Sequence, residues 1–190
     1  MKTYLSLIIV FLSSFFLINA QETNYLKYIE NESKALSVPV ESFFYVSDSS
    51  TEKFIENMQP ALIAFVKGEL STSIDEIEAH DEQNGVVNLN SSCSVQQLTK
   101  DHIVKHLNDK KSYEGIVIKN IQNQKTFTFN EDQIVAVVLY SSKLRPFMDQ
   151  YLAPLKKLKE EENIPYIILT MDLEEIKGLP DLYQNSVFEN

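Results

Sequence analysis

Three groups of residues in this chain have types and spacings that chemistry could use. His102 and His106 stand four apart in "DHIVKH", so a helix there would present both on one side, with Asp109 three residues on. That spacing suits a metal and makes His102 and His106 the candidate metal ligands. The Glu-x-x-His continuation of a metalloprotease is missing, and Ile103 and Leu107 mark the buried face and leave the histidines at the surface. No metal cofactor is therefore expected. His80, in "EIEAHDEQN", reads as a loop histidine among carboxylates. The second candidate is Cys93, the one cysteine of the chain. A helix starting just after it at Val95 would lower its thiol pKa and make it a catalytic candidate; the plain alternative is a small buried hydrophobe. The third is the hydroxyl pair Ser141 and Ser142 at the end of an apolar run. No Gly-x-Ser-x-Gly elbow surrounds them, so capping and turn hydrogen bonds are their expected roles.

The elements that would position these groups follow from periodicity. Residues 21–37 are weakly amphipathic and helical, and "SFFYV" (42–46) is a short strand. "SDSSTEKFIENMQPALIAFVKG" reads as a helix running to Gly68, with Pro60 kinking or splitting it. A short helix over 73–79 and a strand over 85–89 come next, then a helix from Val95 or Thr99 to Lys110. "GIVIKNI" and "KTFTFN" alternate apolar and polar residues around "QNQ", the pattern of a β-hairpin. "QIVAVVLY" (133–140) is continuously apolar and suits a central strand covered on both faces. A helix over 146–162 with the apolar stripe Phe147, Tyr151, Leu155 and Leu158, extended by Leu152, follows, kinked at Pro154, and then a second buried strand, "IPYIILTMD" (164–172). Strand, helix and strand in that order make a crossover between parallel strands.

The N-terminus points to export. "MKTYLSLIIVFLSSFFLINAQ" has a basic residue at Lys2, an apolar centre from Leu5 to Leu17 and a small residue at Ala20, the layout of a cleaved signal peptide over 1–20. The apolar centre is shorter than the roughly 20 residues that span a bilayer, so no stable membrane insertion is expected after cleavage. A secreted or periplasmic location follows, with 21–190 as a single α/β domain. The formal net charge is −10, and removal of Lys2 with residues 1–20 leaves −11. An acidic surface without a basic stripe argues against nucleic acid. The four glycines, at 68, 85, 115 and 178, cannot be assembled into a phosphate loop or a dinucleotide fingerprint. "STSIDEIEAHDE" lacks the spacing of a helix–loop–helix calcium loop.

The order hairpin, apolar strand, turn, Pro-containing helix, apolar strand, Asp172 resembles the thioredoxin-like superfamily, in particular its redoxin branch, over residues 113–172. In that family the turn carries Cys-Gly-Pro-Cys near a helix N-terminus. Counting from "LY", the matching positions here are Leu144, Arg145, Pro146 and Phe147. Pro146 fits and both sulfurs are missing. Pro154 lies two residues beyond the family's helix-kinking proline, and only 18 residues follow Asp172, too few for the usual closing half. The resemblance implies a thioredoxin-like or related three-layer sandwich with a central mixed sheet. It also implies a function without dithiol exchange. The expected role is non-catalytic binding or scaffolding of an unidentified protein or peptide partner through Ser142, Leu144, Arg145, Pro146 and Phe147. Two alternatives stand beside it: a thiol–disulfide oxidoreductase using Cys93, and a small-ligand carrier. No cofactor is expected.

Overall fold

The computed structural model describes residues 24–57, 61–83, 98–110, 113–179 and 182. Within them the chain forms five α-helices and one seven-stranded mixed sheet. The helices are α1 (24–36), α2 (Thr51–Asn57), α3 (Ile74–Gln83), α4 (Lys100–His106) and α5 (Arg145–Glu162). The strands are β1 (Phe43–Val46), β2 (Ile63–Lys67), β3 (Leu70–Ser73), β4 (Ile118–Asn120), β5 (Thr126–Phe127), β6 (Val135–Tyr140) and β7 (Tyr166–Thr170). Their order across the sheet is β3-β2-β6-β7-β1-β4-β5.

The two continuously apolar runs meet at the centre. β6 and β7 pair in parallel from Ala136↔Tyr166 to Tyr140↔Thr170. Successive residues of a strand point to opposite faces, and both faces are covered. Ala136, Val138, Tyr140, Tyr166 and Ile168 join one core, and Val135, Val137, Ile167 and Leu169 join the other. Each aliphatic side chain fully buried in this way contributes about 1.5–3 kcal/mol. β1 lies parallel on the far side of β7, and β2 antiparallel on the far side of β6. The first core is closed by α1, α3, α4 and α5, which contribute Ile29, Ile77, Ile103 and Leu152 among others. The second is closed by Phe54 of α2 and by an edge-to-face chain of rings, Phe44–Phe127–Phe129–Tyr113, with centroids 5.1–5.3 Å apart.

The hairpin expected around "QNQ" is present, with Ile118↔Phe127 and Lys119↔Thr126. Its turn is organised by the buried Asn120. The side-chain oxygen accepts from the Gln122 and Asn123 amides at 3.0 and 3.1 Å, and the side-chain amide donates to the Glu41 carbonyl at 2.8 Å.

Three expectations are corrected. The long helix to Gly68 is not formed: α2 ends at Asn57, and residues 63–67 are strand β2. "IAFV" is buried on both sides, with Phe65 in one core and Ala64 and Val66 in the other. A run apolar on every side satisfies helical and strand periodicity alike, and pairing with β6 decides it. The residue that looked like a helix stop, Gly68, is instead the β2–β3 turn, at φ +57°. Second, 70–73, assigned to no element from the sequence, is strand β3, and the short helix expected over 73–79 is present as α3, which starts behind that strand with a reciprocal cap. The Glu76 amide donates to Ser73 Oγ at 3.1 Å, and the Ser73 amide to Glu76 Oε2 at 2.9 Å. Third, the inward stripe of α5 is Met148, Leu152, Leu155 and Leu158, while Phe147 is 59% exposed. The strand expected over 85–89, Cys93 and the signal segment lie outside the described residues.

Gly68 carries a local prediction. A Cβ at this position would sit 2.9 Å from Glu131 Cγ, which can swing away, but the positive φ remains. Gly68→Ala is expected to destabilise the protein by about 1–2 kcal/mol, read as a shift in the urea midpoint with unchanged slope.

Candidate functional site

Because β6 and β7 are parallel and in register, their C-terminal ends lie side by side. The turn after β6 and Asp172 after β7 therefore meet at one edge of the sheet. In open α/β sheets this edge is where ligands bind. The turn begins as a short 3-10 segment, Ser142–Leu144, and runs directly into α5 at Arg145. Pro146 stands in the first turn of the helix, where the missing N–H breaks no intrahelical bond.

Asp172 holds the turn together. Its Oδ1 accepts from Ser141 Oγ at 2.6 Å, and its Oδ2 accepts from the Ser142 amide at 2.6 Å and from the Tyr28 hydroxyl at 2.5 Å. Partial burial pushes the carboxyl pKa up, but the bonds from Ser141, Tyr28 and Ser142 outweigh it and hold the group below the usual aspartate range. The Ser141 hydroxyl thus donates to a carboxylate. It serves the turn, as expected, and no imidazole stands beside it to act as a base, since the histidines of the chain gather on α3 and α4.

A second carboxylate stands one helical turn from Tyr28. Glu32 is 3% exposed and receives Arg145 in a fork, with Nε on Oε2 at 3.0 Å and Nη2 on Oε1. The Tyr140 hydroxyl donates to the same Oε2. Tyr28 and Glu32 are four apart on α1 and so share a face; through them α1 is pinned onto the ends of both central strands. The Tyr28 and Tyr140 hydroxyls are pushed up in pKa, first by burial and then by the carboxylates they bond, so both remain donors at neutral pH.

The five residues expected at the binding turn therefore divide. Arg145, expected as an outward polar contact, spends its fork on Glu32. Ser142 gives its amide to Asp172. Leu144 and Phe147 face solvent, 39% and 59% exposed, and Pro146 is exposed beside them. Met171, immediately after β7, is also exposed at 41%. The outcome is an apolar rim over a polar clamp.

Tyr28 and Glu32 had no place in the sequence reading. A signal for Glu32 existed: it interrupts the apolar stripe Tyr25, Ile29, Leu36 with a charge, and a charge in that position needs a partner when buried. The histidines also differ from expectation. His80 is on helix α3 and not in a loop. Its Nδ1 lies 3.2 Å from Nε2 of His106, with ring centroids 4.5 Å apart, while the His102 and His106 rings are 5.0 Å apart. Among the described residues no three His, Cys, Asp or Glu side chains are grouped to hold a metal.

Fold and site together define a mixed α/β protein with a clamped strand–turn–helix at the C-terminal edge of its parallel strands. No protein-family model, no curated protein and no solved structure matches the chain.

Two outcomes test the clamp. Arg145→Ala leaves Glu32 buried with only Tyr140, and a loss of about 2–3 kcal/mol is expected in chemical unfolding. That lies below the 3–5 kcal/mol of a fully buried pair because the guanidinium is half exposed. Asp172→Asn tests the other carboxylate. A depressed pKa contributes stability above the ordinary aspartate value, near pH 4, and that stability is lost as pH falls through the lower folded value. The stability gap between wild type and Asp172→Asn is expected to be full at pH 6 and to shrink below about pH 4, measured by urea unfolding across pH.

Proposed function

We propose that this chain is an exported protein, secreted or periplasmic, with a thioredoxin-like core that has no redox dithiol. It acts by binding, presenting the turn 142–147 to a protein or peptide partner. The observation that carries this reading is the placement of Leu144 and Phe147. Both are exposed, at the start of a helix that follows a central parallel strand, and in the sequence resemblance they match the two family cysteines. Supporting it is the rest of the edge. Arg145, Ser141, Asp172 and the Ser142 amide are committed to internal bonds that hold the turn rigid, and the turn presents Leu144, Pro146 and Phe147 outward beside the exposed Lys143. A pre-ordered apolar surface loses little conformational entropy on binding. Among the described residues no helix is long and apolar enough to cross a membrane.

An unfolded chain is a suitable probe, since it exposes apolar side chains that Leu144, Phe147 and Met171 can accept. Reduced, carboxymethylated α-lactalbumin is expected to bind the mature protein and to shift the amide resonances of 142–147 and 171. Phe147→Ser is expected to weaken binding about tenfold, the loss of one buried aromatic anchor, with little change in melting temperature because the ring is already exposed. Binding that persists unchanged in Leu144→Ser/Phe147→Ser moves the function away from this turn. Insulin reduction that disappears in Cys93→Ser would replace binding by a thiol oxidoreductase.

A further inference from the structure

His80 is 26 residues from His106 in sequence, and the three histidines of the chain come together in space. His102 and His106 lie on one side of α4, and His80 reaches them from α3. We propose that His80 and His106 form a two-imidazole site for a divalent transition metal, with water in the remaining positions.

The distance between the facing nitrogens carries the proposal. His80 Nδ1 and His106 Nε2 are 3.2 Å apart. Two imidazole nitrogens at the Zn–N distance of roughly 2.0–2.1 Å on one tetrahedral ion stand about 3.3 Å from each other. The pair is thus already at the separation that two ligands of one ion adopt. Without metal, one ring N–H bridges the two nitrogens. Metal takes the place of that proton, and His80 then carries its hydrogen on Nε2, so two neutral rings both present lone pairs.

A second observation concerns the other side of His106. Its Nδ1 lies 3.4 Å from the backbone carbonyl of His102, within the same helix. A carbonyl can only accept, so this contact places the hydrogen on Nδ1 and leaves the Nε2 lone pair directed at His80. Metal-bound histidines are oriented in this way, by donating the outer N–H to a carbonyl or carboxylate. His102 is therefore a positioning residue through its backbone, and its side chain is dispensable for ligation.

The surroundings set the kind of ion. A cavity of about 610 Å³ opens beside the pair, lined by Thr72, Glu76, Lys105 and Lys110 along with the two histidines. It has room for water on the open positions. Glu76 is held by the α3 cap through Ser73, and the two lysines add positive charge. With two imidazole nitrogens as ligands, affinity follows the general order for divalent ions, in which Cu²⁺ exceeds Zn²⁺. Acid weakens the site, because a protonated imidazole cannot ligate.

Calorimetric titration of the mature chain with Cu²⁺ and with Zn²⁺, in a non-chelating buffer near pH 7.5, tests this. One saturable equivalent is expected, tighter for Cu²⁺. His80→Ala and His106→Ala are each expected to weaken it by roughly tenfold or more, and His102→Ala to leave it nearly unchanged. Electron paramagnetic resonance of the wild-type Cu²⁺ complex is expected to show hyperfine splitting from two nitrogens, a readout that does not depend on the variants folding. The proposal is overturned if no saturable binding occurs, if the His80→Ala/His106→Ala double variant binds as wild type does, or if the copper signal shows no imidazole nitrogen.

Discussion

The parallel pairing of β6 with β7 is the constraint on which the rest of this molecule depends. Parallel strands cannot be joined by a tight turn, so a crossover must leave the end of β6 and return to the start of β7, and α5 fills it. The crossover covers one face of the pair and brings the two C-terminal ends to the same edge. Ser141 and Asp172, 31 residues apart, become neighbours for that reason alone. Shifting β7 by one residue would turn Ile168 and Tyr166 out of their core and carry Asp172 away from the turn.

A sheet edge of this kind exposes polar backbone and side-chain groups, and α1 is what satisfies them here. Its apolar stripe docks on the first core through Tyr25, Ile29 and Leu36. Its two polar members, Tyr28 and Glu32, then land on Asp172 and Arg145. Neither carboxylate would be tolerable at its depth without such partners. The clamp also explains the division of the turn. The Ser141 hydroxyl, the Ser142 amide and the Arg145 guanidinium are drawn to the carboxylates, and Leu144, Pro146 and Phe147 are left outside with Lys143.

Legibility in the sequence followed the amount of local information each element carries. "QIVAVVLY" and "IPYIILTMD" are long, apolar and flanked by polar residues, and both are the strands expected. The hairpin at "QNQ" and the helix beginning at Pro146 carry their own turn and start signals. "IAFV" failed because four apolar residues after a proline suit either a strand or a helix turn, and only contact with β6 distinguishes them. Phe147 was assigned to an inward stripe because a one-residue rotation at a helix start leaves the apolar count almost unchanged. His80 was read as a loop residue because its acidic flanks hide a helix whose buried side rests on few residues, Ile74 and Ile77 among them.

By itself the sequence determined the α/β character, the two central strands, the helix between them, and the absence of paired sulfurs at the turn. These rest on composition and short-range pattern, which survive without knowledge of neighbours. The tertiary structure alone decided that Glu32 meets Arg145 and Tyr140, that Tyr28 meets Asp172, and that His80 meets His106. Those pairs are separated by 113, 108, 144 and 26 residues. No local periodicity encodes such a meeting, because it follows from the order in which strands are laid into the sheet and from the face on which each helix comes to rest.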